Sequence, residues 1–178
     1  MPGRIGVLLS LLGVPAHRLR APDRATADLR CELEHTLHDG PALRVSALAL
    51  ELGLAATAVT DPVGRQRLDS AQDTVRLVLE DLRAVGEALH PPLLAGAGLE
   101  PALRAVADRL DLALTVDVAG LAPADHRRTC LLVADHLRSL WPGAVVSVRV
   151  RGGARLVRVL ITVAGRRPLR HWAVIRCA

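Results

Sequence analysis

Residues 34–56 read EHTLHDGPALRVSALALELGLAA. Within this stretch, a histidine and an aspartate stand side by side, followed at once by Gly40 and Pro41. Around them the apolar positions Leu29, Leu33 and Leu37, then Val45, Leu48, Leu52 and Ala55, are spaced by threes and fours. That period predicts one amphipathic helix from about Arg24 to Val59. A proline inside a helix removes one backbone hydrogen bond and bends the axis. The bend is therefore expected just past His38, which places His38 and Asp39 on the polar face.

Working outward, TDPVG at 60–64 reads as a turn. Beyond it Leu68, Ala71, Val75, Val78, Leu82, Val85 and Leu89 form a coiled-coil seam over three heptads. His90-Pro91-Pro92 ends that helix, because proline cannot continue the hydrogen-bond ladder. Two long helices joined by a short turn make an antiparallel hairpin. One hairpin buries its apolar stripes poorly, so a homodimeric four-helix bundle is expected.

The pattern then changes. Gly98–Leu110 reads as a short helix, Leu112–Val118 as a strand, and Pro123–Trp141 as a helix with Asp125 in its first turn. AVVSVRVR, ARLVRVLITVA and LRHWAVIRCA read as three strands, with Gly152-Gly153 and GRRP between them. The expected class is α+β, a helical hairpin followed by a small, truncated α/β sandwich. The expected division is an apolar N-terminal segment at 1–22, the hairpin at 23–92 and the α/β domain at 93–178.

Composition narrows the chemistry. The 178 residues are 51% hydrophobic and 23% charged, which is globular rather than disordered. There is no Lys, Asn, Phe or Tyr, a bias that fits a GC-rich genome. Any mechanism needing an asparagine or lysine side chain is closed to this chain. Cys31, Cys130 and Cys177 are widely spaced with no CxxC, so buried free thiols in a cytoplasmic protein are expected rather than zinc or disulfides. His35, His126 and His136 lack metal-ligand spacing, and no metal is expected. The apolar run Ile5–Ala16 is shorter than the roughly 20 residues that span a bilayer, so no membrane association is expected.

Charge is unevenly placed. Residues 1–135 hold all 18 acids and 14 Arg, net −4, whereas residues 136–178 hold 9 Arg and no acid, net +9. Arg149, Arg151, Arg155 and Arg158 alternate in strand patterns and are expected to line one face. With only Trp141 and Trp172 to stack on bases and no recognition helix, nucleic-acid binding is not expected.

LHDGPALRVSALALELGLA, followed some fifty residues later by ALHPPLLAGAGLEPALRAV, resembles the NarX/DesK class of sensor histidine kinases. The resemblance covers about Ala25–Val118 and continues more weakly to the C-terminus. It implies that the hairpin dimerises, that His38 is the phosphoacceptor, that Asp39 is its adjacent acid, and that an α/β domain of the histidine-kinase ATPase type follows. Glu34, one turn before His38, is a further candidate partner at i, i+4. His90 looks like a joint between the two parts. The class commonly carries a glutamine five residues after the histidine, thought to orient water for dephosphorylation. Leu43 stands there, and Gln72 is in the wrong place to replace it, so loss of that phosphatase reaction is expected.

The class's ATP site needs an asparagine-bearing helix, an Asp-x-Gly turn and a glycine-rich lid. Aligned on that pattern, Asp135 and Ser139 take the positions of the helix glutamate and asparagine, and Val163 takes that of the adenine-reading aspartate, with Gly165 retained. No acid follows Asp135, and no lid is expected before Ala178. Magnesium needs oxygen ligands in near-octahedral order. No ATP cofactor and no autokinase activity are therefore expected. The chain then resembles sporulation phosphotransferases in architecture. His38 would exchange phosphate with a response-regulator receiver domain or a partner histidine kinase. The alternative is a non-catalytic adaptor that dimerises with a kinase or sequesters a regulator.

Overall fold

The computed structural model describes residues 16–91 and 94–177. Most of the apolar run Ile5–Ala16, the Pro92 of the helix-ending motif and Ala178 lie outside the described residues. The chain divides into two compact units. Asp28–His90 forms one, and the residues before Asp28 join those from Pro91 onward in the other.

The first unit is an antiparallel helical hairpin. Helix α1 (Arg24–Leu37) passes through a π-helical turn (His38–Ala42) into α2 (Leu43–Ala58). Pro41 lies inside the π turn. A π turn inserts one residue into the helical ladder, which accommodates a residue with no N–H to give. Helical backbone angles persist on both flanks, at Leu37 and Leu43. The disturbance at HDGPA is thus a widened turn that α2 continues.

The return helix α3 (Pro62–Leu89) begins inside the segment that the sequence reads as a turn. Asp61 is its N-cap and accepts a 2.7 Å hydrogen bond from the Gly64 N–H. Pro62 fits the first helical position, where a missing N–H costs nothing. At the other end Arg30 donates to the carbonyls of Leu89 (2.9 Å) and Ala88 (2.6 Å). A guanidinium at a helix C-terminus both satisfies orphan carbonyls and meets the negative end of the helix dipole. Gly86 lies against Leu37 and Glu34, and Gly53 against Gln72, which sets the antiparallel register.

Leu68, Val75, Leu79, Leu82 and Leu89 of α3 are half-buried, as are Leu37, Val45, Ala49 and Leu52 on the opposing helices. No residue of the π turn, α2 or α3 is fully buried. Leu29, Leu33, Leu43, Leu48, Leu50, Leu54, Leu77, Val78 and Val85 are exposed. The continuous helix Arg24–Ala58 is long and apolar enough to cross a membrane by length and composition.

The second unit is a five-stranded sheet with helices on one face. Its elements are β1 (Ala16–Arg18), α4 (Leu94–Ala97), α5 (Leu99–Arg109), β2 (Ala113–Ala119), α6 (Pro123–Leu137), β3 (Val145–Gly152), β4 (Leu156–Val163) and β5 (Leu169–Arg176). The spatial order is β1-β5-β4-β3-β2. β2 and β3 pair in parallel across the α6 connection, and β3, β4 and β5 form an antiparallel meander. Val146, Val148 and Val150 alternate with exposed Val145, Ser147 and Arg149, so one face is dry and the other wet. The dry face packs with Leu103, Ala107, Val133 and Leu137 of α5 and α6 in a single core.

Three details differ from the sequence reading, the first being the short helix α4 before Gly98. α6 ends at Leu137, short of Trp141. Beyond it the Ser139 and Leu140 N–H groups bond back three residues, tightening the chain before β3. The strand β1 was not visible in the sequence. It pairs parallel to β5, with His17 beside His171 and Arg18 beside Trp172. At its far side Gly120 (φ 66°) meets Gly152 where β2 and β3 end. A Cβ on Gly152 would run into the Gly120 backbone, so the crossing demands glycine.

Candidate functional site

His38 is the first residue of the π turn, and its side chain is 77% exposed. Its Nδ1 lies 3.0 Å from Asp39 Oδ1. A carboxylate can only accept, so Nδ1 carries the proton and donates it to Asp39. The neutral ring then presents its lone pair at Nε2, in a side chain open to solvent. This hydrogen bond raises the His38 pKa above the ordinary histidine value. Partial desolvation opposes the rise, and the negative charges of Asp39 and Glu34 add to it. One neighbour therefore fixes the tautomer and stabilises positive charge on the ring.

Glu34 stands differently. Its side chain is only 17% exposed, and its carboxylate lies 3.4 Å from His35 Nδ1. That same His35 nitrogen bonds the Cys31 carbonyl at 2.8 Å. The structure brings Asp39 into contact with His38, whereas Glu34 acts on His38 through space. Leu43, five residues after His38, is 64% exposed. Gln72 sits against Gly53, far along the hairpin from the π turn.

The positions that the resemblance assigns to nucleotide binding are occupied by committed groups. Asp135 on α6 pairs with Arg138 at 2.9 Å. The Ser139 hydroxyl donates to the His136 carbonyl at 2.7 Å. Val163, at the end of β4, is buried in the core. Among the described residues no group of three or more His, Cys, Asp or Glu side chains could hold a metal ion.

Three features escaped the sequence reading. The first is the π turn itself, for which Gly40-Pro41 was the signal. The second is a row of imidazoles: His171 stacks with His17 at 5.5 Å and packs against His136 of α6 at 4.2 Å between ring centroids. Burial, reinforced by His171, pushes the His136 pKa down to about 4. The third is an ion network on the open sheet face, where Asp117 binds Arg151 and Arg149. The Arg151 hydrogen bond holds the Asp117 carboxyl below the usual range. These partners lie far apart in sequence, and no local pattern announces them.

Residues 30–94 match the family described as histidine kinase, over the segment that carries the HDGPA turn and the whole return helix. The match is to the dimerisation and phosphoacceptor domain of NarX/DesK-type kinases, and it supports a relation of this segment to the histidine kinases of two-component signalling. An α+β fold with a helical hairpin and a mixed five-stranded sheet agrees with that assignment. No curated protein matches the chain.

Proposed function

We propose, from the premise that residues 30–94 are a NarX/DesK-type dimerisation and phosphoacceptor domain, that this protein accepts and passes on a phosphoryl group at His38 without using ATP. The observation that carries the reading is the exposed His38 ring with Nδ1 held by Asp39. The donor is an aspartyl phosphate on a receiver domain, or a phosphohistidine on a partner kinase. The His38 Nε2 lone pair attacks phosphorus and an N–P bond forms. With an aspartyl phosphate, the P–O bond to the acyl oxygen breaks and its electron pair leaves on the regenerated carboxylate; with a phosphohistidine, the donor N–P bond breaks and its pair returns to the donor ring nitrogen. The Nδ1 proton stays in place, and Asp39 balances the positive ring. Transfer onward reverses the same step.

Several features support the absence of ATP chemistry. The sequence offers no asparagine, Asp135 is engaged by Arg138, and buried Val163 replaces the adenine-reading carboxylate. The residues present do not suit magnesium and a triphosphate, whose transfer depends on charge neutralisation by metal-held oxygens. With Leu43 in the water-orienting position, the phosphorylated regulator would not be hydrolysed here.

The exposed apolar rows of the hairpin support a homodimeric four-helix bundle. The apolar window of Arg24–Ala58 reads as bundle interior rather than as a membrane span, since the family match runs through it. The same rows would also serve an adaptor that pairs with a kinase or holds a regulator.

Phosphorylated receiver domains, incubated with the full chain, are expected to transfer acid-labile label that His38→Ala abolishes. No label from any cognate receiver or kinase refutes phosphotransfer. Cellular function that survives His38→Ala points to the adaptor.

A further inference from the structure

The wet face of the sheet carries side chains in straight cross-strand rows. Thr115, Ser147, Thr162 and Arg170 lie side by side across β2, β3, β4 and β5. The neighbouring row runs Asp117, Arg149, Leu160, Trp172 and Arg18. Between the two rows the surface sinks into a cavity of about 470 Å³, whose lining includes Thr115, Ser147, Thr162, Arg170, Arg149 and Asp117. A volume of that size suits a small molecule.

The charges on this face are unequal. The five strands contain one acid, Asp117, and it is taken by Arg151 and Arg149. Arg18 is spent over the Trp172 ring, 5.5 Å from its centroid. Of the remaining strand arginines, Arg158, Arg170 and Arg176, Arg170 lines the cavity. Its Nε is buried and has no hydrogen-bond partner among the described residues. A buried N–H without an acceptor is costly, because its desolvation is not repaid. Thr162 stands beside it on β4, with Ser147 and Thr115 on the next two strands, each strand about 4.8 Å from its neighbour.

We propose that this helix-free face binds the oxyanion of a small phosphate- or carboxylate-bearing molecule, with Arg170 as the charged fork and Thr162 and Ser147 as hydroxyl donors. A guanidinium binds such groups through paired N–H bonds. The Arg149–Asp117 pair, one rung further along β2 and β3, completes the lining of the cavity. The site stands on the other side of the sheet from α5 and α6 and is independent of His38 chemistry.

The test is titration of the full chain with inorganic phosphate, and separately with succinate, followed by amide NMR. Saturable shifts confined to β2–β5 are expected with at least one of them, and which one answers tells phosphate from carboxylate. Arg170→Gln is expected to weaken binding about tenfold or more. Ser147→Ala with Thr162→Val, which keeps the charge and the fold, is expected to weaken it severalfold. Arg158→Gln lies outside the cavity and is expected to leave affinity within about twofold. His38→Ala is expected to bind like the parent.

The proposal is overturned if neither anion binds, or if folded Arg170→Gln binds unchanged. It is also overturned if Arg158→Gln weakens binding as much as Arg170→Gln, because the effect is then general charge. Competition by a single-stranded oligonucleotide with a steep salt dependence would likewise overturn it, showing an extended polyanion surface instead of a pocket.

Discussion

Val78 and Val85 stand seven residues apart on α3, two turns along one face, and are 43% and 52% exposed. Val75 and Leu82, on the same sequence seam, are already half-buried inside the hairpin. Replacing Val78 and Val85 together by aspartate therefore tests the bundle with least damage to the hairpin. Full burial of a valine is worth about 1.5–2 kcal/mol, and with half the side chain still open each leaves about 0.8 kcal/mol to gain on association. Two chains supply four such valines, or about 3 kcal/mol, which is roughly a hundredfold in Kd. Desolvating the introduced carboxylates adds to the loss, so a hundredfold is the floor. Sedimentation equilibrium over a concentration series reads the change, and circular dichroism checks that the helices persist. A parent protein that stays monomeric throughout would refute the reasoning, as would a helical Val78→Asp/Val85→Asp variant that dimerises as tightly as the parent.

Four other outcomes are expected. Because Asp39 raises the His38 pKa and a protonated ring has no lone pair, phosphoryl acceptance should rise with pH through that pKa. Asp39→Asn should move the His38 NMR titration to lower pH while slowing transfer at high pH, and an unmoved titration would remove Asp39 from its role. His136 is held neutral down to about 4, against 6.5 in the open chain, so the unfolded state binds more protons between those values. Stability should thus be complete above pH 6.5 and decline as pH falls toward 4, by urea unfolding, and His136→Gln should flatten that slope. Gly152→Ala should cost about 1–3 kcal/mol in the same measurement, since its Cβ meets the Gly120 backbone. Cys130 is fully buried, with its thiol pushed up to about 12. It should resist thiol reagents until the protein unfolds, whereas half-buried Cys31 should react in the native state.

Much of the hairpin was legible because its determinants are local. Apolar spacing of three and four, Asp61-Pro62 at a helix start and His90-Pro91 at a helix end each act within a turn or two of chain. The same holds for the meander, where alternation and turn glycines marked β3, β4 and β5 to within a residue or two. Three-residue β1 carries no alternation. Its place beside β5 depends on residues more than a hundred and fifty positions away.

The candidate site divides the same way. His38 and Asp39 are sequence neighbours on one helix face, so the chain alone paired them. Glu34 was equally close in sequence, yet its carboxylate lies beside His35.

The sequence by itself determined a helix–turn–helix carrying an imidazole beside a carboxylate, followed by a mixed α/β unit without asparagine, because periodicity, caps and missing residue types are properties of the chain. Only the tertiary structure decided that the proline sits in a π turn, that β1 joins the sheet at its edge, and that the Arg170 Nε has no partner among the described residues beside Thr162. Those outcomes depend on register between distant strands and on which groups burial leaves without a partner, and no local rule encodes either.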